Sequence, residues 1–159
     1  MGTISSSAPA ASAAVCRLAA DAEHLAAHFD VRRSVFVELQ GLFEGSDRDE
    51  RDEREDTLHA VGLVDGSVVG AVRLYPLDAH GLWKGDRLAV LPKARVRHVG
   101  ALLVRFAVAT AGELGGYEMV ARVQLPNVRF FERLGWHVDG PPAPYVGVMH
   151  QAMAIPLAR

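Results

Sequence analysis

The stretch "RLAVLPKARVRHVGALLVRFA", Arg87 to Ala107, joins a short β-rich run to an apolar helix through a basic turn without a single acidic residue. From Gly100 onward, apolar residues recur at helical spacing. The start of a helix offers unpaired backbone N–H groups and a dipole that favours anions, and Arg95 and Arg97 can add charge-assisted contacts to phosphate oxygens. The stretch therefore predicts an anion site, with an ordinary strand-to-helix loop carrying solvated arginines as the alternative.

Length and composition are those of one soluble domain. The chain has 159 residues, 50% of them hydrophobic, and a formal net charge of -2, which is enough chain for a core. The charge balance argues against the clustered basic face of non-specific nucleic-acid binding. The single cysteine, Cys16, has no partner for an internal disulfide, and no export signal or membrane-spanning apolar run is present. We expect a cytoplasmic protein that binds neither nucleic acid nor membranes.

Turn signals and hydrophobic periodicity divide the chain into a tail, residues 1–14, and one domain, residues 15–159. The tail is small and polar, which predicts flexibility. Asp65-Gly66 predicts a tight hairpin between strands at Leu58 to Val64 and Val68 to Leu74. The other predicted elements are a strand at "VCRLA", a helix capped by Asp21 and broken near Asp30, a strand at "DRLAVL", a helix from Gly100 to Gly115-Gly116, a strand at "YEMVARVQ", a helix from Asn127 to Gly135 and a strand at "GVMHQAMAIPL".

A run of mixed charge, "EGSDRDERDERED" from Glu44 to Asp56, separates the first helix from the hairpin. It holds eight acidic residues and three arginines. Such a run is too polar to bury and predicts a solvated loop. Attraction of a cationic amine is the alternative role.

Four segments together resemble the GNAT N-acetyltransferase superfamily. "LAVLPKARVRHVGALLV" is similar to its pyrophosphate-binding signature, in which a strand leads into Q/R-x-x-G-x-G/A and a long helix. "NVRFFERLGW" is similar to the downstream N-x-x-F-Y-E-x-x-G-F segment. "RRSVFVELQ" and "GVMHQAM" resemble a small bacterial subgroup, and the nearest resemblance is to acetyltransferases described as nitrogen-starvation-type. The match covers roughly Val15 to Leu157.

This resemblance implies an α/β fold with a mixed, mostly antiparallel (α+β) sheet that splays between "DRLAVL" and "MVARVQ", flanked by helices. Acetyl-CoA is the implied co-substrate, lying in the gap, and an amine is the implied acceptor; a homodimer is compatible with it. An extended amide-bearing ligand can replace a missing strand, while a helix N-terminus takes the phosphates. The implied cofactor-binding residues are Leu88, Ala89, Val90, Arg95, Val96, Arg97, His98, Val99, Gly100, Ala101, Asn127, Phe130 and Phe131.

The sequence departs from the superfamily pattern at two positions. His98 stands where the first signature glycine is expected, so it must adopt the dihedral angles of the turn or change the turn; a contact from protonated His98 to phosphate is a further option. Phe131 stands where many members carry a tyrosine that protonates the departing thiolate. Either another acid acts, with Tyr145 as the candidate, or CoA leaves as the thiolate, since a thiol pKa near 8.5 makes it a fair leaving group.

Three side chains are candidates for the base that takes a proton from the acceptor amine: Asp86, Glu38 and His150. The structural alternatives are a strand-end cap for Asp86, a solvated helix face for Glu38 and a hydrogen-bonded position at the sheet edge for His150. A water chain can also take the place of a single base. No metal site is predicted, because the histidines show no ligand spacing beyond His24 and His28. The alternative to an enzyme is a non-catalytic acyl-CoA-binding sensor or partner module, which Phe131 favours.

Overall fold

Eight strands of the described chain form one sheet. Numbered along the chain, the strands lie side by side in the order first, second, third, fourth, fifth, eighth, sixth. The strand left out of this order, the seventh, pairs with the eighth. The computed structural model describes residues 13–158, so most of the predicted tail lies outside the described residues. The strands are β1 (Val15–Leu18), β2 (Leu58–Val64), β3 (Ser67–Pro76), β4 (Leu82–Val90), β5 (Glu118–Gln124), β6 (His137–Val138), β7 (Ala143–Tyr145) and β8 (Val148–Pro156). The predicted strands are present; β4 begins earlier than expected, and β6 and β7 were not predicted.

Helices cover both faces of the sheet. They are α1 (Ala22–Arg32), α2 (Val99–Glu113) and α3 (Val128–Arg133). The Asp21 side chain accepts a hydrogen bond from the His24 backbone N–H at 2.7 Å and caps α1, as predicted. The helix continues as a π-helical segment, Arg33–Leu39, so the change of geometry falls just after the break predicted near Asp30.

The sheet opens between β4 and β5, the one parallel pair among the described strands. Only three residue pairs join them, Leu82 with Glu118, Trp83 with Met119 and Lys84 with Val120. Beyond Lys84 the edge of β4 has no partner strand on that side. The predicted splay is therefore confirmed, and it leaves backbone N–H and C=O groups of β4 available to an extended ligand.

A bulge in β4 lies at the beginning of this unpaired edge. Arg73 of β3 pairs with Asp86, whereas Ala71 pairs with Ala89, so one extra residue is accommodated on β4. Arg87 takes up the irregularity with a positive φ of 54°. Because a bulge re-aims the side chains beside it, Asp86 and Arg87 lie on the face covered by α1 rather than alternating across the sheet.

The start of α2 sits directly on the sheet. Gly62 of β2 pairs with Gly70 of β3, and a Cβ atom on either would lie 2.8 Å from Cγ1 of Val99. Val99 and Leu103 are fully buried at this contact. The first turn of α2 is thus held in a depression that exists because two paired strand residues have no side chain.

The acidic run, predicted to be a solvated loop, is partly buried. It contains a 3-10 helix, Glu50–Glu53, capped by the Asp49 side chain. The side chains of Asp47 and Asp52 are 2% and 0% exposed. The prediction is wrong because three arginines from other elements supply buried partners for these carboxylates. Within the described range, no helix is long and apolar enough to cross a membrane.

Candidate active site

A cavity of about 130 Å³ opens where β4 and β5 part. Met119 and Val123 of β5 belong to the core under α2, so by strand alternation Arg122 and Gln124 point to the opposite face. The cavity therefore has two halves joined through the gap in the sheet. The half beside α2 is apolar, lined by Val104, Ala107, Met119, Val123, Phe131 and Trp136, and the other is lined by Phe36, Gln40, Leu42, Phe43, Asp86, Arg87, Arg122, Gln124, Tyr145 and His150.

The turn before α2 has the geometry that an anion site needs. His98 adopts the left-handed conformation, with φ of 58° and ψ of 26°, so histidine takes up the turn where the superfamily pattern has glycine. The first turn of α2 contains no acidic residue, and His98 provides no side-chain cap for its N–H groups. Arg95 is exposed nearby; the side chains of Val96 and Arg97 lie outside the described residues.

Gly100 lies in the first turn of α2, where the protein leaves room for a side chain. A Cβ atom there would meet Cζ of Phe130 at 3.6 Å and Cγ2 of Val90 at 3.7 Å, which are ordinary van der Waals distances. The protein's own packing therefore does not require a glycine here. A glycine at this position also allows a ligand to approach the backbone closely. The backbone of Val99, Gly100 and Ala101 forms the first turn of α2, next to the free edge at Leu88, Ala89 and Val90.

The aromatic residues of the α3 region close the apolar half. Phe131 is 8% exposed and packs edge-to-face against Phe130 at 5.5 Å and Trp136 at 5.3 Å between ring centroids. Asn127 lies at the N-cap position of α3 and lines the cavity, but its side chain makes no capping hydrogen bond. The indole N–H of Trp136 is buried and, in the described part of the chain, has no acceptor. These groups can contact a bound pantetheine arm, but Phe131 has no proton to give.

Asp86, a predicted base, lines the cavity but is engaged by Arg73. Arg73 is buried and donates to both oxygens of Asp86 at 2.7 Å. It also donates to Asp49 at 2.6 and 3.2 Å, and the Tyr75 hydroxyl donates to Asp86 at 3.3 Å. Burial, reinforced by the Asp86 charge, raises the pKa of Tyr75 to about 12, so this hydroxyl keeps its proton. With its oxygens already accepting these bonds, Asp86 is better placed to hold Arg73 than to take a proton.

A second arginine, Arg32, ties the acidic run to α1. It donates to Asp47 at 2.7 Å, to Asp52 at 2.8 and 3.1 Å, and to Nε2 of His28 at 3.2 Å. Burial opposes ionisation of Asp52, but hydrogen bonds from His59 and Arg32 outweigh it and hold the Asp52 pKa below its usual range. Desolvation lowers the pKa of His28 to about 3, so the ring is neutral.

The third arginine, Arg87, connects this network with two of the predicted site residues. Its Nε and Nη2 donate to the Asp47 carbonyl at 3.1 Å each, and its Nη1 donates to the Tyr145 hydroxyl oxygen at 3.4 Å. The Tyr145 and His150 rings pack edge-to-face at 5.2 Å. His150 is buried, and its Nδ1 donates to the Val148 carbonyl at 2.8 Å. The structure thus brings Asp86, Tyr145 and His150 to one cavity.

Glu38, the remaining predicted base, does not line the cavity. Its side chain is 62% exposed and lies 3.6 Å from Nε of Arg33. Sequence reasoning also missed Arg73, Arg87 and Arg122. A signal existed for Arg73, because an arginine inside a buried β-rich run requires a carboxylate partner. Among residues 13–158, no group of three His, Cys, Asp or Glu side chains is placed to hold a metal ion.

Comparison with known proteins gives consistent matches. The pattern of the Acetyltransferase (GNAT) family matches residues 17–136. The uncharacterized N-acetyltransferase YjcF of Bacillus subtilis is 30% identical over 122 residues, covering 76% of this chain and 84% of YjcF. A crystal structure described as a putative N-acetyltransferase from Lactobacillus plantarum superposes with a TM-score of 0.80 at 23% identity, covering 91% of this chain and 99% of that one. An acyl-CoA N-acyltransferase from Pseudomonas aeruginosa gives 0.76 at 22% identity, covering 89% and 97%.

Proposed function

The chain belongs to the Acetyltransferase (GNAT) family, and on that premise we propose that it moves an acetyl group from acetyl-CoA to a primary amine of a small molecule or peptide. The amine nitrogen attacks the thioester carbonyl directly, the new amide C–N bond forms, the C–S bond breaks, and the nitrogen loses one proton while the sulfur gains one or leaves as the thiolate. The observation that carries the proposal is the continuity of the gap between β4 and β5 with the acid-free first turn of α2.

The residues of this chain have distinct tasks in the proposed reaction. The edge of β4 at Leu88 to Val90 pairs with the pantetheine amides, and the turn from Arg95 to Ala101 holds the pyrophosphate. Phe131, Phe130 and Asn127 flank the other side of the donor and exclude water from the thioester. The acceptor enters from the opposite half of the cavity, where the Tyr145 hydroxyl and the His150 ring are the candidates to move a proton.

Binding and turnover test this proposal separately. CoA should raise the melting temperature, because a ligand that binds only the folded protein stabilises it by mass action. Release of free thiol from acetyl-CoA with a panel of primary amines then tests turnover. The absence of both a thermal shift and a heat of binding at millimolar CoA would refute the acyl-CoA site.

Arg95 allows a sharper test of the turn. Arg95→Ala should weaken the binding of CoA by about 1.5–3 kcal/mol, the contribution of a charge-assisted hydrogen bond. The binding of dephosphorylated pantetheine should stay almost unaffected. Arg17→Ala, an exposed change on β1, is the matched control. Equal losses for both ligands would mean that Arg95 acts through the fold.

A non-catalytic acyl-CoA sensor is the second candidate, and Phe131 favours it because the usual acid is missing. Tight CoA binding without turnover of any amine would support the sensor. Three narrower expectations also stay predictions: membership of the nitrogen-starvation-type subgroup, a cytoplasmic location and a homodimer. The oligomeric state is measurable by sedimentation.

A further inference from the structure

The charges around the acceptor half of the cavity do not balance. Asp86 is matched by Arg73 through two contacts of 2.7 Å. Arg87 is matched by Asp47, whose Oδ2 lies 3.2 Å from its Nε, and by Asp49 at 3.4 Å. Two cations that line the cavity, Lys84 and Arg122, are left over. No described carboxylate lies within ion-pair distance of either.

Arg122 is the better placed of these two cations. It lies on β5 beyond the last residue paired with β4, so it stands at the open part of the gap. Its guanidinium lies 5.0 Å from the centroid of the Tyr145 ring, which fixes one face of the group and leaves its N–H edge for a partner. Because a guanidinium presents a planar fork of donors, it suits a carboxylate or a phosphate, and the phosphates of the proposed acyl donor are already assigned to the turn before α2.

The acidic run offsets these charges only in part, because its carboxylates and Asp86 exceed the arginines of the ion network by one, which leaves one negative charge against two cations. Asp47 and Asp52 are buried against Arg32, whereas Asp49 is 42% exposed and pairs with Arg73 and Arg87. Among the described residues that line the acceptor half, no carboxylate is therefore free to hold an ammonium group. Positive surroundings favour the neutral form of a bound amine, and only the neutral form attacks a thioester.

We propose that the acceptor is an amino acid with an apolar side chain, its carboxylate bound by Arg122 and its amine directed at the gap between β4 and β5. The apolar side chain meets Phe36, Leu42 and Phe43, which line the same half. The carboxylate supplies the negative charge that the site lacks, while Lys84 adds to the positive potential. This inference rests on the proposed function.

Matched pairs of amines that differ only in the carboxylate test the inference: phenylalanine against phenethylamine, and leucine against isopentylamine. The quantity to compare is the ratio of kcat/KM values within each pair, measured for the wild type, Arg122→Gln and the control Arg17→Gln. Intrinsic differences in amine reactivity cancel when the ratios of two variants are compared. Arg122→Gln should lower the preference for the carboxylated amine about 10- to 100-fold, the range of a charge-assisted hydrogen bond. Arg17→Gln should leave the preference unchanged.

Binding measurements test the inference even if the protein proves to have no acetyltransferase activity. Titration of phenylalanine and phenethylamine into the CoA complex should give heat for phenylalanine alone, abolished by Arg122→Gln, with CoA affinity and melting temperature unchanged. An unaltered preference in Arg122→Gln, or equal or absent binding of the two compounds, would overturn the inference. CoA binding and selective phenylalanine binding without turnover would instead refute the proposed transferase activity and leave the acceptor assignment standing.

Discussion

His28 should make the stability of the fold depend on pH between about 7 and 4.5. Its ring is fully buried. Nδ1 lies 2.9 Å from the Ala60 carbonyl, so it carries the proton, and Nε2 accepts from Arg32. A second proton therefore has no place in the folded protein. Desolvation lowers the pKa to about 3, against the usual 6.5 of the unfolded chain.

The sign and size of the effect follow from this difference. The unfolded state binds a proton below pH 6.5 and the folded state does not, so His28 stabilises the fold above that pH and the contribution is lost as pH falls toward 3. Linkage gives a loss of about 2.5 kcal/mol in the free energy of unfolding between pH 7 and pH 4.5, from a slope approaching 1.36 kcal/mol per pH unit.

Urea unfolding at a series of pH values, for the wild type and His28→Gln, measures this loss. Glutamine offers a donor and an acceptor but does not titrate, so the variant should lose about 2.5 kcal/mol less over the same interval, whatever its stability at pH 7. Asp52, whose lowered pKa also destabilises the fold in acid, is common to both proteins and cancels in the difference. Parallel curves for the two proteins would refute the neutral, doubly bonded His28.

Substitutions at three further positions test the turn, the acid and the network. His98→Gly should keep or raise stability and CoA affinity, whereas His98→Val should cost about 1–2 kcal/mol in thermal melts, because a β-branched residue is strained in the left-handed conformation. Phe131→Tyr should leave the rate of thiol release within a few-fold of the wild-type rate. A gain toward roughly 10²–10⁴-fold, the span of general acid–base catalysis, would show that the wild type lacks an acid. Arg32→Met should lower the free energy of unfolding by about 3 kcal/mol, because Asp47 and Asp52 would stay buried with one cationic partner fewer. A loss below about 1 kcal/mol in urea would contradict the structural role given to Arg32.

Local signals predicted the elements that depend on local chemistry. Asp65-Gly66 marked the hairpin because both residues accept positive φ, and they do so here with 51° and 78°. Asp21 marked the start of α1. The basic turn before α2 was located correctly, and His98 adopts the conformation that the pattern demanded of a glycine.

The buried ion network was not predictable in the same way. The carboxylates of the acidic run are adjacent in sequence, but their partners Arg32, Arg73 and Arg87 come from α1, β3 and β4. Which charges become buried is decided only when these elements pack. In the sequence, a run of mixed charge looks the same whether it is later buried or solvated. The position of Arg122 in the cavity likewise depends on the splay and on strand alternation, which no local motif encodes.

The pair of glycines under α2 carries a practical consequence for mutational screening. Gly62 and Gly70 lie on strands β2 and β3, and neither lines the cavity. A methyl group on either would push against the side chain of Val99 and so disturb the first turn of α2, whose backbone N–H groups are proposed to hold the pyrophosphate. A selection for lost binding of the acyl donor would therefore return these two positions as hits, and a map of hits would extend the apparent binding surface to strand positions beneath α2, away from the cavity. Conversely, substitutions in β2 and β3 can change the affinity for the acyl donor, although neither strand carries a proposed binding group.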